Sequence, residues 1–155
     1  MKTGLQPILA ALPFFQGFST EYVEFMAGCA SNLVYEAGVE IAHEGEDANR
    51  FYIVREGKIA IECFLPGRGA ITIETLGAGD VLGWSWLFPP YRTQFNSKAL
   101  VTTRVIAMDG KCIRAKCDQD PVLGYQVMRR VLDIMQQRVE ATRLQLLAKF
   151  QKTGG

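Results

Sequence analysis

The chain has 155 residues, a length that suits one domain with a single hydrophobic core. Hydrophobic residues make up 48% and charged residues 21%, which is the composition of a folded protein and excludes an intrinsically disordered one. The chain has seventeen lysines and arginines and sixteen aspartates and glutamates, so its formal net charge is +1. A charge this small does not indicate a nucleic-acid backbone or an anionic membrane as the partner.

The chain begins with an apolar stretch over residues 8–18, which is followed by a helix signal. Pro13 and Gly17 interrupt the stretch, and it is too short to cross a bilayer, so we expect no membrane segment. Ser19 has the properties of a helix N-cap, and the residues after it predict a helix over 20–31.

Short β-branched segments separated by glycines fill the middle of the chain. Eight of the fifteen glycines fall between Gly38 and Gly83, where they separate apolar segments as turns separate strands. Strands are predicted over residues 39–42, 51–54, 58–64, 70–76, 81–82, 97–101 and 104–108. The pattern predicts a mainly β fold with flanking helices, in which an antiparallel β jelly-roll barrel is followed by a long C-terminal α-helix.

The end of the chain is predicted to be helical. One helix over 110–117 follows the N-cap signal of Asp109, and a second runs from Pro121 to about residue 150, roughly 45 Å at the standard rise. These limits divide the chain into a jelly-roll domain with N-terminal helices over residues 1–120 and a dimerisation or lid helix over 121–151.

The long helix carries two apolar stripes. A heptad seam is formed by Met128, Leu132, Met135, Val139, Thr142 and Leu146. Apolar surface outside the seam comes from Val127, Val131, Ile134, Leu144 and Leu147. Packing on one barrel needs one stripe, so the second stripe predicts a partner helix, most simply in a two-fold homodimer. The alternative is a monomer whose barrel covers both stripes.

Histidine and cysteine content restricts the chemistry of the protein. His43 is the only histidine, which excludes metal sites that need two, and we expect it to be a solvated residue at a strand end. The cysteines Cys29, Cys63, Cys112 and Cys117 form no CxxC motif, and with no signal peptide they indicate the reducing cytosol, where we expect them to be small buried hydrophobes. No nucleophile–base pair, Gly-Lys phosphate loop or metal triad is recognisable, so no enzymatic activity and no metal cofactor are expected.

Five segments carry a resemblance to a known family: LPFFQGFS at 12–19, YEAG at 35–38, IAHEGE at 41–46, FYIVREG at 51–57 and GDVLG at 79–83. In this order and spacing they resemble the cyclic nucleotide-binding domain, over residues 5 to 150, including the long helix of catabolite-activator and FNR-type regulators. The resemblance implies a jelly-roll pocket for a cyclic nucleotide, with the following helix as dimer seam and lid. The cyclic phosphate would accept hydrogen bonds from backbone N–H groups at the start of a short helix and from an arginine.

The phosphate-binding segment departs from the family pattern. Trp84 stands where the family places a glutamate that accepts from the ribose hydroxyl, and Gln94 and Phe95 stand where it places an arginine followed by a small residue. Arg92 lies two positions too early to serve without a shifted loop. The aromatic residues of this segment either re-specify the pocket for another flat ligand or fill it as a closed core. Ordinary cyclic-nucleotide binding through Arg92 is the third alternative.

The candidate ligand-binding residues come from this segment and from the long helix. Thr142 matches the position at which catabolite-activator-type proteins place a threonine against the base, although a threonine is also harmless on such a helix. The full candidate set is Leu82, Gly83, Trp84, Ser85, Trp86, Arg92, Thr93 and Thr142.

Three functions are compatible with these features. The first is a cytoplasmic sensory or regulatory module that binds a cyclic nucleotide or another small anion and changes a dimer or protein-partner interface. The second is a ligand-free scaffold for protein association. The third is an iron–sulfur redox sensor that uses the four cysteines as ligands. DNA binding is not expected, because no helix-turn-helix follows the long helix.

Overall fold

The computed structural model describes residues 4–154, with side chains to Gln151. Short helical segments open the chain: α1 (Gln6–Ala10), a 3-10 turn (Pro13–Phe15) and α2 (Thr20–Ala27). Proline occupies the first turn of the first two segments, where its missing N–H is not needed. Ser19 caps α2 as predicted, because its hydroxyl accepts from the Tyr22 N–H at 3.2 Å.

Within residues 4–154, eight strands form two four-stranded antiparallel sheets. The strands are β1 (Ala30–Tyr35), β2 (Glu40–Ala42), β3 (Arg50–Glu56), β4 (Ile59–Leu65), β5 (Gly69–Leu76), β6 (Val81–Leu82), β7 (Asn96–Ala99) and β8 (Thr103–Asp109). Their order is β1-β8-β3-β6 in the first sheet and β2-β7-β4-β5 in the second. The predicted antiparallel jelly roll followed by a long helix is therefore confirmed.

The predicted helix over 20–31 is wrong in its last four residues. Helix α2 ends at Ala27, and Gly28 and Cys29 form a turn into β1, which was not predicted. The chain becomes extended here because Ala30 pairs with Met108 at the start of six consecutive pairs to β8. The predicted strand over 97–101 is also displaced, since β7 ends at Ala99 and Leu100 and Val101 are exposed. At β1, long-range pairing overrides local propensity.

Two hydrophobic clusters fill the molecule. The cluster under the helices contains Phe15, Phe51, Trp86, Ile113 and Val127, all at most 2% exposed. A second cluster between the sheets is formed by Tyr52, Val54, Ile59, Ile61, Leu76, Leu82, Val105 and Ala107. Trp86 belongs to the first cluster, so the segment after β6 is anchored in the core.

Helix α3 (Gly110–Gln119) leads into α4 (Pro121–Gly154), and Asp120 joins them. Its carboxylate accepts from the N–H groups of Val122 at 3.1 Å and Leu123 at 3.2 Å, which caps α4. The Tyr22 hydroxyl donates to the same carboxylate at 2.9 Å. This hydrogen bond, followed by the Leu123 N–H, lowers the pKa of Asp120, and it ties α2 to the start of α4.

Helix α4 leaves the barrel half-way along its length. Leu123, Val127 and Val131 are buried against the barrel, whereas every described side chain from Val139 to Gln151 is exposed. Of the predicted seam, Met128, Leu132, Val139 and Leu146 are 44% to 57% exposed. No helix within the described residues is both long and apolar enough to span a membrane.

Candidate ligand-binding site

A cavity lies between the two sheets and α4. It contains about 720 Å³ of atom-free space, including its open mouth, which is within the usual range for a small-molecule site. Strands β3 and β6 contribute Tyr52 and Leu82 from the first sheet, and strands of the second sheet contribute Ile61, Ile73 and Ser97. The cavity is thus walled by apolar side chains of the barrel and interrupted by a few polar groups.

The charged groups of the cavity wall are Arg50, Glu74 and Arg138. Two positive charges and one negative charge leave one positive charge in excess. An excess positive charge attracts an anionic ligand in preference to a neutral one.

Arg138 reaches the cavity from α4 and is nearly enclosed. Its side chain is 13% exposed, its Nε lies 3.4 Å from an oxygen of Glu74, and its guanidinium also donates to the carbonyl of Val81. The guanidinium carbon lies 4.9 Å from the centre of the Trp84 ring, within cation–π distance. Burial lowers the pKa of Arg138, and the Glu74 carboxylate partly offsets this effect.

The aromatic residues after β6 divide into two sets. Trp84 and Phe95 line the cavity, whereas Trp86 is 1% exposed and stacks on Phe51 with ring centres 4.8 Å apart. The guanidinium carbon of Arg114 lies over the ring of Tyr91, 4.0 Å from the ring centre. The segment therefore supplies aromatic surface to the cavity without closing it.

The structure brings together five of the eight candidate residues, namely Leu82, Gly83, Trp84, Ser85 and Thr93. Trp86 lies in the core instead. Thr142 is exposed and donates to the carbonyl of Arg138, one turn earlier on α4, at 2.8 Å.

Arg92 lies outside the cavity. Residues 91–93 run antiparallel to residues 45–48, and the Arg92 guanidinium contacts Asp47 at 2.5 Å with both side chains more than half exposed. Because side chains alternate along such a segment, Arg92 points away from the cavity while Thr93 lines it. Gln94 and Phe95, the next two residues along the chain, also line the cavity.

Several polar wall residues were not among the candidates, and they include Arg138, Glu74 and Ser97. Arg138 had a signal in the sequence, because a lone arginine stands between the seam residues Met135 and Val139, one turn before Thr142. Ser97 is 2% exposed, and no described group lies within hydrogen-bonding distance of its hydroxyl. Glu74 and Ser97 carried no signal, since their proximity results from the pairing of β5 and β7 with β4.

The cysteines and the histidine do not form a metal site. None of the four cysteines is buried, so the expectation of buried hydrophobes is wrong; Cys112 is exposed and the others are half-buried. Within the described part of the chain no three His, Cys, Asp or Glu side chains converge as metal ligands, which contradicts the iron–sulfur alternative. His43 is exposed directly after β2, as expected.

Two four-stranded antiparallel sheets around a largely apolar cavity, with a helix contributing one wall, define a jelly roll that has an internal pocket. Residues 32–120 match the family model of the cyclic nucleotide-binding domain. The chain belongs to this family, as the motifs in its sequence predicted.

A curated relative is the CRP-like cAMP-activated global transcriptional regulator of Mycobacterium tuberculosis, 23% identical over 125 residues. The match covers 81% of this chain and 56% of the relative, so the chain spans little more than half of the relative's length.

Two solved structures share the fold. A protein assigned as cyclic nucleotide-binding from Geobacter metallireducens superposes with a TM-score of 0.78 at 22% identity, covering 86% of this chain and 97% of that one. A cyclic nucleotide-binding domain from Methylobacillus flagellatus gives a TM-score of 0.77 at 19% identity, covering 94% and 82%.

Proposed function

We propose that the chain is a non-enzymatic sensory domain that binds a small anionic ligand with a flat ring in the cavity and transmits its presence through α4. The ligand belongs to the cyclic nucleotides or to related compounds. Ordinary cyclic AMP binds weakly, because the groups that would recognise its ribose and phosphate are replaced.

The observation that carries this proposal is the position of Arg138 in the cavity wall. This cation belongs to α4, whose second half extends beyond the barrel. A ligand that draws the guanidinium away from Glu74 favours a different position of the helix. Ligand binding and helix position are therefore coupled through one side chain.

The other cavity walls support a polar, ring-containing ligand. The buried Ser97 hydroxyl has no partner among residues 4–154, and a ligand group that bonded to it would remove the desolvation penalty of this hydroxyl. Trp84 and Phe95 offer aromatic surface on which a base can stack. Together with the single excess positive charge, these features suit a nucleotide monoanion.

Weak binding of cyclic AMP follows from four positions. Trp84 offers no carboxylate to the ribose, and Gln94 and Phe95 offer no guanidinium to the phosphate. Arg92 is held by Asp47, so its recruitment would first have to break this ion pair.

A scaffold for protein association is the second candidate function. The observation that favours it is the exposed seam of α4, in which Leu132 and Val139 are 57% and 48% exposed. We propose that this seam pairs with a second copy of the chain, since two-fold pairing would remove this apolar surface from water. Dimerisation is compatible with both functions. The binding of a ligand distinguishes the sensory domain from the scaffold.

The test is a thermal-shift screen of cyclic mononucleotides and cyclic dinucleotides, followed by calorimetry. A ligand at about a hundred times its Kd stabilises the folded state by about 2.7 kcal/mol, which is readily detected. We expect one member of the panel to stabilise the chain, and cyclic AMP to have a Kd above about 1 μM. Sub-micromolar binding of cyclic AMP would contradict the weak-binding proposal. No stabilisation by any nucleotide would favour the scaffold.

Arg138→Gln is the diagnostic variant, and Arg143→Gln is its control. Arg143 is exposed on the same helix outside the cavity, so both changes remove one positive charge from α4. Loss of a charge-assisted hydrogen bond by Arg138→Gln should weaken the stabilising ligand by about 1.5–3 kcal/mol, whereas Arg143→Gln should bind as the parent does. Equal affinities in all three proteins would exclude Arg138 as the anion partner.

A further inference from the structure

Two cysteines that are 83 positions apart in the chain lie side by side on the surface. The Sγ atoms of Cys29 and Cys112 are 3.2 Å apart, and both side chains are free thiols. A disulfide bond is about 2.0 Å long, so the two sulfur atoms lie within about 1.2 Å of bonding distance.

Main-chain contacts hold this pair together. The Asp109 N–H donates to the carbonyl of Cys29 at 2.9 Å, directly beyond the paired residues Ala30 and Met108. The Asp109 carboxylate then accepts from the Cys112 N–H at 3.0 Å and caps α3. The strand pairing fixes Cys29 and the cap fixes Cys112, so the proximity of the thiols is a property of the fold.

The two thiols differ in environment. Cys112 is exposed in the first turn of α3, so its sulfur is accessible from solvent. Cys29 is half-buried, and desolvation, followed by its hydrogen bond to Cys112, raises its pKa to about 12. Cys112 is therefore the thiol that an oxidant reaches and that reacts first.

We propose that Cys29 and Cys112 are a modification site, a dithiol that hydroperoxides oxidise to an intramolecular disulfide. The Cys112 thiolate attacks one peroxide oxygen and breaks the O–O bond, which gives a sulfenic acid and, for hydrogen peroxide, one water after proton transfer. Cys29 then attacks Sγ of Cys112 and displaces the hydroxyl group, and its own thiol proton completes a second water. Two electrons pass from the two sulfur atoms to the peroxide.

The disulfide would join the turn after α2 to the first turn of α3. Helix α3 contacts the segment after β6, since Arg114 donates to the carbonyl of Trp86 and Gly110 packs on the Trp86 ring. Oxidation would therefore restrain α3 against the first sheet next to that segment. The other cysteines cannot substitute, because Cys63 lies on β4 in the second sheet and Cys117 lies about one and a half turns further along α3.

The test is treatment of the reduced chain with hydrogen peroxide, followed by thiol alkylation, intact mass and peptide mapping. We expect two thiols per chain to become resistant to alkylation, the mass to fall by two hydrogen atoms, and a peptide pair joined through Cys29 and Cys112. A thiol reductant should restore both thiols. Four alkylatable thiols after treatment, or a crosslink between other cysteines or between chains, would overturn the proposal.

Single serine variants give matched controls. Cys63→Ser and Cys117→Ser should still form the disulfide, whereas Cys29→Ser and Cys112→Ser should not. In Cys29→Ser the oxidised Cys112 should persist as a sulfenic acid that dimedone traps. In the parent the amount of this adduct should be much smaller, because Cys29 converts the sulfenic acid to the disulfide. Equal dimedone labelling of Cys112 in the parent and in Cys29→Ser would show that Cys29 does not resolve it. Circular dichroism of each variant establishes that it is folded.

Discussion

Arg138 lies over the face of Trp84, with its guanidinium carbon 4.9 Å from the ring centre. The carboxylate that faces the same guanidinium belongs to Glu74 on β5, with an oxygen 3.4 Å from Nε. The contact joins the last barrel-packed turn of α4 to the segment after β6. It makes Trp84 a structural partner of the helix as well as part of the cavity wall.

This contact can be measured by a double-mutant cycle with Trp84→Leu and Arg138→Gln. A cation–π pair away from bulk water contributes about 0.5–2 kcal/mol, so the two changes should be less than additive by that amount in the free energy of unfolding. Chemical denaturation of the four proteins provides the measurement. Strict additivity would mean that the two side chains are neighbours without a stabilising interaction.

The second tryptophan should behave differently. Trp86 is 1% exposed and stacked on Phe51, so Trp86→Ala should lower the free energy of unfolding by about 3–5 kcal/mol. Trp84→Ala at the cavity wall serves as the control and should lose clearly less, because Trp84 is half-buried. Equal losses in urea denaturation would contradict the division of these residues between core and cavity.

The fold was predictable where the pattern is local. Alternating apolar residues and turn glycines predicted the strands from β2 to β6 and β8, and the Asp109 and Pro121 signals placed α3 and α4. Strand β1 was missed, because its exposed Asn32 and Val34 acquire their conformation from pairing with β8 rather than from propensity.

The cavity was predictable only in the continuous segment that resembles the family motif. Leu82, Gly83, Trp84 and Ser85 follow one another in sequence and line the cavity together. Glu74, Ser97 and Arg138 reach the same cavity from separate elements, and their convergence depends on sheet register and on the angle of α4. Such relationships are properties of the tertiary structure.

Gly57, in the turn between β3 and β4, should tolerate no side chain. Its φ is +113°, and a Cβ there would lie 2.5 Å from the Thr103 Oγ1 and 2.7 Å from the Thr103 Cα. Gly57→Ala should therefore cost about 3 kcal/mol or more in the free energy of unfolding, from backbone strain together with the clash. Gly67→Ala is the control, since Gly67 has a φ of +83° in open space, and strain alone should cost about 1–2 kcal/mol. The prediction fails if the two variants are equally stable.

His43 should make stability depend on pH. A hydrogen bond from its ring Nδ1 to Glu46 at 3.1 Å, together with the Glu40 charge, raises its pKa above the ordinary value. The protonated ring therefore stabilises the fold below the ordinary pKa of about 6.5, and the effect disappears as pH rises through the raised pKa. His43→Gln should lower the melting temperature slightly at about pH 5.5 and leave it unchanged at about pH 8.5. The same difference at both pH values would contradict this assignment.

The seam of α4 should hold two copies of the chain together. Leu132 and Val139 are 57% and 48% exposed in the single chain, so replacing them with glutamate adds charge without disturbing the barrel. Burying these charges in a helix pair is strongly unfavourable, and Leu132→Glu/Val139→Glu should therefore be monomeric by light scattering at micromolar concentration, where the parent should have the mass of two chains. Gln136→Glu/Gln145→Glu adds the same charge to exposed positions outside the heptad seam and should remain dimeric. A monomeric parent chain would refute the predicted dimer.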